Sequence, residues 1–167
     1  MRSMQKDRGH RSVESLSEEE VFARVQQLAT KHGMRWYNGS WPDFDYKRGH
    51  AADCADDLVH ELAHWICAPK SRRMKPYFGL GHPGMVSPSY QEVSDAYGDE
   101  EEYKASILGI AMLYDCGGKW HEMLLEHGWT DDNLLNTHVI IERVRTFVRS
   151  NVISSDALNA IQLCLRD

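Results

Sequence analysis

The sequence predicts a mostly helical α+β fold in a single domain, with a small β hairpin near one end. Three observations carry this. Apolar residues recur every three or four positions through most of the stretch from Ser17 to Leu165, the period of a helix with one buried face. One stretch, Met34 to Gly49, breaks that period: Trp36, Tyr37, Trp41, Phe44 and Tyr46 surround Asn38-Gly39 and Pro42. Asn-Gly between aromatic flanks is a hairpin signal. Finally, 167 residues suit one domain and bury roughly 70% of the unfolded surface, enough for a core without staples.

Taken in order, residues 1–14 read as a polar, disordered leader and residues 15–167 as the domain. Ser17 and Glu20 have capping-box spacing, so a first helix is expected to start there. Val21, Val25 and Leu28 form its apolar face, and Gly33 fits a stop just past its end. After the hairpin, a second helix is expected over Ala51–Ala68, ended by Pro69. Lys70 to Asp99 contains Pro76, Pro83, Pro88 and several glycines and reads as a long loop; loops of that length in a compact domain are commonly functional. A third helix is expected over Asp99–Asp115, a short one over Trp120–His127, a longer one over Asp131–Arg149 capped by Thr130, and a last over Ser155–Leu165.

The balance of 25 acidic against 19 basic residues gives a net charge of −6. That argues against nucleic acid as a partner, because phosphate binding needs a basic face. No apolar run has the length of a membrane span, and Met1 to His10 lacks the apolar core of a signal peptide. Cys54, Cys67, Cys116 and Cys164 form no CxxC pair and read as reduced thiols. The expectation is a cytoplasmic protein that works away from membranes.

The chemistry centres on His60-Glu61-Leu62-Ala63-His64, an HExxH pattern inside the second expected helix. Residues four apart share a helix face, so both imidazoles can reach one metal ion. Glu61 lies about 100° around the helix from His60, outside that ligand set. It can still take a proton from a water beside the ion. A catalytic metal usually has a third protein ligand. Glu100, Glu101 and Glu102 are candidates at the start of the third helix, where acids also suit the helix dipole. Ala105 and Gly109 continue the face of Glu102, and Ala105, Leu108 and Met112 continue that of Glu101. Helical geometry does not choose between them. His82, Asp95 and Asp115 are weaker competitors. Arg72, Arg73 and His82, on the loop between the ligand-bearing helices, are the candidate substrate-binding residues.

The run HELAHW at 60–65, followed by Ala68, Lys70, Arg72-Arg73 and Phe78-Gly79, resembles the bacterial elongation factor P hydroxylase family. Glu102-Tyr103-Lys104 is similar to a downstream element of that family, a Glu with an aliphatic residue and Lys after it. The resemblance runs from Val59 to Gly117 and implies Glu102 as the third ligand, with hydroxylation of a modified lysine on a protein substrate. Gly79-Leu80-Gly81-His82-Pro83 is closer to uncharacterised bacterial and phage proteins with the same motif. The same core also resembles gluzincin peptidases, which implies a zincin-like metal helix with HExxH plus Glu around zinc.

Two histidines and one carboxylate serve two chemistries. As a facial triad they suit Fe(II) and oxygen activation; as a tetrahedral site with one water they suit Zn²⁺ and hydrolysis, with Glu61 as base. The expected cofactor is therefore one divalent metal ion, Zn or Fe(II), and the expected partner a protein or peptide substrate. The hydroxylase-like enzyme is the first reading, a zinc metallopeptidase the second, and a non-catalytic metal-containing binding protein the third.

Overall fold

The computed structural model describes residues 15–81, 91–126 and 137–165. Their elements in order are α1 (Glu18–Lys31), β1 (Trp36–Asn38), β2 (Phe44–Asp45), β3 (Gly49–Ala52), α2 (Ala55–Cys67), a short helical turn at Pro76–Gly79, α3 (Asp95–Asp115), α4 (Trp120–Glu126), α5 (Thr137–Arg149) and α6 (Ser155–Cys164). The fold is mostly helical with one small sheet. The expected leader, and the expected helical residues 131–136 with their cap Thr130, lie outside the described residues.

The start of α1 is the expected capping box. The Glu20 N–H donates to Ser17 Oγ at 3.2 Å, and the Ser17 N–H donates to Glu20 Oε2 at 2.8 Å. The region after it corrects the hairpin expectation. Three strands form a sheet in the order β1-β3-β2, with β1 parallel and β2 antiparallel to β3. Asn38-Gly39 therefore does not turn one strand back on its neighbour; the strands on either side of it both pair with β3. The tight connection is instead Tyr46–Arg48, where Asp45 Oδ1 accepts from the N–H groups of Lys47 and Arg48. It ends at Gly49, with φ +104°, where a Cβ would run into the Arg35 carbonyl group, so only glycine fits there.

The second helix also starts later than expected, at Ala55, because Gly49–Ala52 is the central strand, buried at every position. The third helix starts earlier, at Asp95, with Ser94 Oγ accepting from the Tyr97 N–H at 3.4 Å. This helix is buried without interruption from Ala105 to Leu113, as expected of a helix enclosed by its neighbours. It packs against α2, α4, α5 and α6, and α2 also meets α1 and β3. Gly109 sets the closest approach: a Cβ there would stand 3.4 Å from the Val59 carbonyl oxygen and 3.5 Å from His60 Cα. The small-residue face of Ala105 and Gly109 thus lies directly on the histidine-bearing helix. No helix among the described residues is long and apolar enough to cross a membrane.

Candidate metal centre

Helix α2 presents His60 and His64 one turn apart, and α3 brings Glu102 over both. Glu102 Oε1 lies 3.3 Å from His60 Nε2, and Oε2 lies 3.1 Å from His64 Nε2. The two Nε2 atoms are 3.2 Å apart. All three residues offer ligand atoms within 4.8 Å of one another.

The donor set fits a metal. Imidazole nitrogen and carboxylate oxygen are ordinary ligands of zinc and of ferrous iron. An ion about 2.1 Å from two nitrogens spaced 3.2 Å apart subtends roughly 100° between them, by simple triangulation. That angle lies between the octahedral and tetrahedral values, so the spacing accepts either metal. The Glu102 side chain is 39% exposed, which leaves one side of the set open.

Electrostatics tie the three together. Burial opposes ionisation of Glu102, yet His64, the hydrogen bonds from both histidines and the His60 charge outweigh it and hold the carboxyl well below the usual range. Burial likewise opposes a charged His64, but Glu102, with Glu61 and Glu101 behind it, raises its proton affinity. A metal bound there would replace that proton with a larger charge on the same atoms.

The three consecutive acids fan out in three directions. Glu100 pairs with Arg143 of α5. Glu101 points inward, 2% exposed, and Oε2 accepts from Arg72 Nη2 at 2.6 Å. Only Glu102 reaches the histidines. Arg72, expected to bind substrate, has a buried guanidinium committed to Glu101 and, through Nη1, to the Phe78 carbonyl at 2.8 Å. Arg73 holds the end of α2: its Nε–H donates to the Ala68 carbonyl at 3.1 Å and its guanidinium lies over the Trp65 ring. His82 lies outside the described residues. The weaker ligand candidates sit elsewhere: Asp115 accepts from the Ser154 N–H at 2.7 Å at the start of α6, and Asp95 accepts from the Gln91 side chain.

The Arg72 bond to Phe78 secures a left-handed turn. Tyr77 (φ 49°), Phe78 (φ 51°) and Gly79 (φ 70°) are consecutive, and two non-glycine residues in that region cost on the order of 1–3 kcal/mol each. The strained turn places the Phe78 ring, 2% exposed, between two imidazoles. It stacks on His50 at 4.0 Å and on His64 at 5.2 Å. The first part of the long loop therefore borders the histidines.

His50 and Trp41 are the residues that sequence reasoning missed. Glu61 is buried beside the site. Trp41 Nε1–H donates to its Oε1 at 2.6 Å, and His50 Nδ1 lies 3.4 Å from its Oε2. His50 Nε2 lies 2.8 Å from the Arg73 carbonyl oxygen, which can only accept, so that nitrogen carries a proton. Burial pushes the His50 proton affinity down, against the opposing pull of Glu61. Neither residue belongs to a spaced motif. Their signal was compositional only, a lone aromatic and a lone histidine. Trp41 also lines a cleft of about 540 Å³ with Phe44, Tyr46, Pro76 and Tyr77.

A second group, Asp53, Cys54 and Asp57, brings donor atoms equally close; it lies at the acidic start of α2, where such residues suit the helix dipole. No protein-family model, curated protein or solved structure matches the chain.

Proposed function

We propose that this protein is a metal-dependent hydrolase of a peptide or protein substrate. One divalent ion is held by His60, His64 and Glu102, and Glu61 acts as general base. The observation that carries the reading is the convergence of three ligand atoms from α2 and α3 within 4.8 Å. A bound divalent ion supplies Lewis acidity at the open side of the set. Glu61 is a buried carboxylate outside the ligand set, held on the adjoining face of the same helix. It takes a proton from the water that attacks a substrate carbonyl and returns it to the leaving nitrogen. The zincin-like character rests on HExxH in α2 with a carboxylate from the next long helix, as in the gluzincin resemblance.

A second reading, hydroxylation of a protein side chain, is favoured by one observation. Residues that carry the resemblance to elongation factor P hydroxylases gather around His64: Phe78 stacks on it, Arg72 anchors Phe78, and Glu102 touches its Nε2.

The test starts with protein purified anaerobically without added metal and analysed by mass spectrometry. Zinc-loaded and iron-loaded samples are then assayed for peptide cleavage and for oxygen consumption with a lysine-bearing protein. For a hydrolase, Glu61→Gln keeps the metal and lowers cleavage by about 10² to 10⁴, the scale of a lost general base. Oxygen consumption without cleavage supports the second reading. If His60→Ala retains full metal, neither reading stands.

A further inference from the structure

We infer that Trp41 is a positioning residue, which holds the Glu61 carboxylate in one orientation beside the two histidines. The inference rests on the reading of Glu61 as the base and assigns a role to a residue outside the HExxH pattern.

The geometry is a short one-point hold. A glutamate side chain has three free torsions, and fixing them costs rotamer entropy. Trp41, in the β1–β2 connection, donates to Oε1 at 2.6 Å, a short, charge-assisted bond. His50, in β3, stands beside Oε2, with Nδ1 at 3.4 Å. Its Nε2–H is committed to the Arg73 carbonyl at 2.8 Å, and its ring lies 4.0 Å from Phe78 at an interplanar angle of 9°, so it walls that side of the carboxylate without donating to it. Oε2 keeps its lone pairs for a water or substrate proton.

Trp41 is a poor candidate for a purely structural side chain. It is 48% exposed, so its ring contributes little to the core, yet its N–H is spent on a buried carboxylate. The indole also lines the aromatic cleft formed with Phe44, Tyr46 and Tyr77. A chain bound in that cleft would rest on the same ring that holds the base. Position and reactivity of Glu61 are thereby coupled to the cleft.

The experiment follows the Trp41 indole N–H by ¹H–¹⁵N NMR in the full chain, its resonance assigned by its loss in Trp41→Phe. In Glu61→Ala the resonance should move upfield and exchange faster with water. Glu61→Gln, which keeps an acceptor oxygen without the charge, should move it less. On zinc-loaded protein, Trp41→Phe, which keeps a ring in the cleft and removes the N–H, should lower kcat for peptide cleavage about 10–100-fold with KM unchanged, the scale of a lost outer partner, and Trp41→His, which keeps a ring N–H, should recover part of it. An indole resonance that ignores Glu61→Ala, or a Trp41→Phe variant with unchanged kcat, overturns the hold. Zinc affinity separates the two claims, since Trp41 is outside the ligand set of His60, His64 and Glu102. Wild-type protein that fails to bind zinc and iron sinks the metal reading, while the indole shifts still decide the hold.

Discussion

Glu101 and Glu102 are adjacent acids on one helix, and the structure gives them opposite consequences when neutralised. Glu101 is 2% exposed and pairs at 2.6 Å with Arg72, itself buried. Glu101→Gln leaves the Arg72 charge uncompensated away from water. Removing one partner of a buried pair costs about 3–5 kcal/mol, a large part of the roughly 5–15 kcal/mol that stabilises a domain. For a chain of this size that lowers Tm by roughly 6–20 °C. Glu102 is different: its side chain is 39% exposed and its partners are the two histidines. Glu102→Gln removes one of the three proposed metal ligands, so zinc affinity should fall by more than the 10–100-fold that an outer-shell loss costs. Stability of the metal-free protein should change far less than in Glu101→Gln. Urea unfolding with a chelator present measures the first effect, and zinc titration against a competing chelator measures the second. If Glu101→Gln weakens zinc binding and spares stability, while Glu102→Gln does the reverse, the geometric assignment of the two acids is refuted.

Three further outcomes are expected. The His64–Glu102 contact should make metal-free protein pH-dependent. The raised His64 contributes stability below its ordinary value of 6.5 and loses it as pH rises through the raised value, and the depressed Glu102 contributes above its ordinary 4.5 and loses it as pH falls. Urea midpoints should therefore drop as pH rises from about 6.5, the ordinary histidine value, through the raised His64 value, and saturating zinc should flatten or reverse the trend because it binds the deprotonated ligands; a flat metal-free profile would count against the pairing. At Gly109, alanine should be tolerated or gain about 0.5–1 kcal/mol as a helix former, because the Cβ meets its neighbours at 3.4–3.7 Å. Gly109→Val should cost about 1–3 kcal/mol by overpacking and weaken zinc binding by parting α3 from His60, which thermal melts and zinc titration check together. Alkylation followed by mass spectrometry should label exposed Cys164 first and Cys67 and Cys116 more slowly, since burial pushes their thiols up to about 12 and about 11.

The parts of the fold that were readable in the sequence are those written in local pattern. The capping box at Ser17, the helical face of Val21 and Val25, and the pairing of His60 with His64 across one turn are all relations within four residues. The central strand was not readable. Gly49-His50-Ala51-Ala52 has neither alternation nor β-branched residues, although it is buried at every position, where strands are usually rich in Val, Ile and Leu. Its alanines therefore extended the helical pattern of α2 backwards by four residues. The same strand carries His50, so misreading it also hid the residue that contacts Glu61.

The choice among Glu100, Glu101 and Glu102 shows where local pattern ends. Successive helical residues step about 100°, so any one of three consecutive acids can face a given neighbour, and apolar spacing supported two of them. The structure resolves the register through two distant residues. Arg72, buried 29 positions before Glu101, requires an acid inside the protein and takes the one that lies between the other two. Gly109, seven residues beyond Glu102 on the same face, lets the α3 backbone come within contact of His60. With Glu101 occupied inward and Gly109 seated on α2, Glu102 is turned toward the histidines and Glu100 toward Arg143. Arg72 thus helps decide which carboxylate faces the two histidines, by a long-range pairing that no periodicity in the chain encodes.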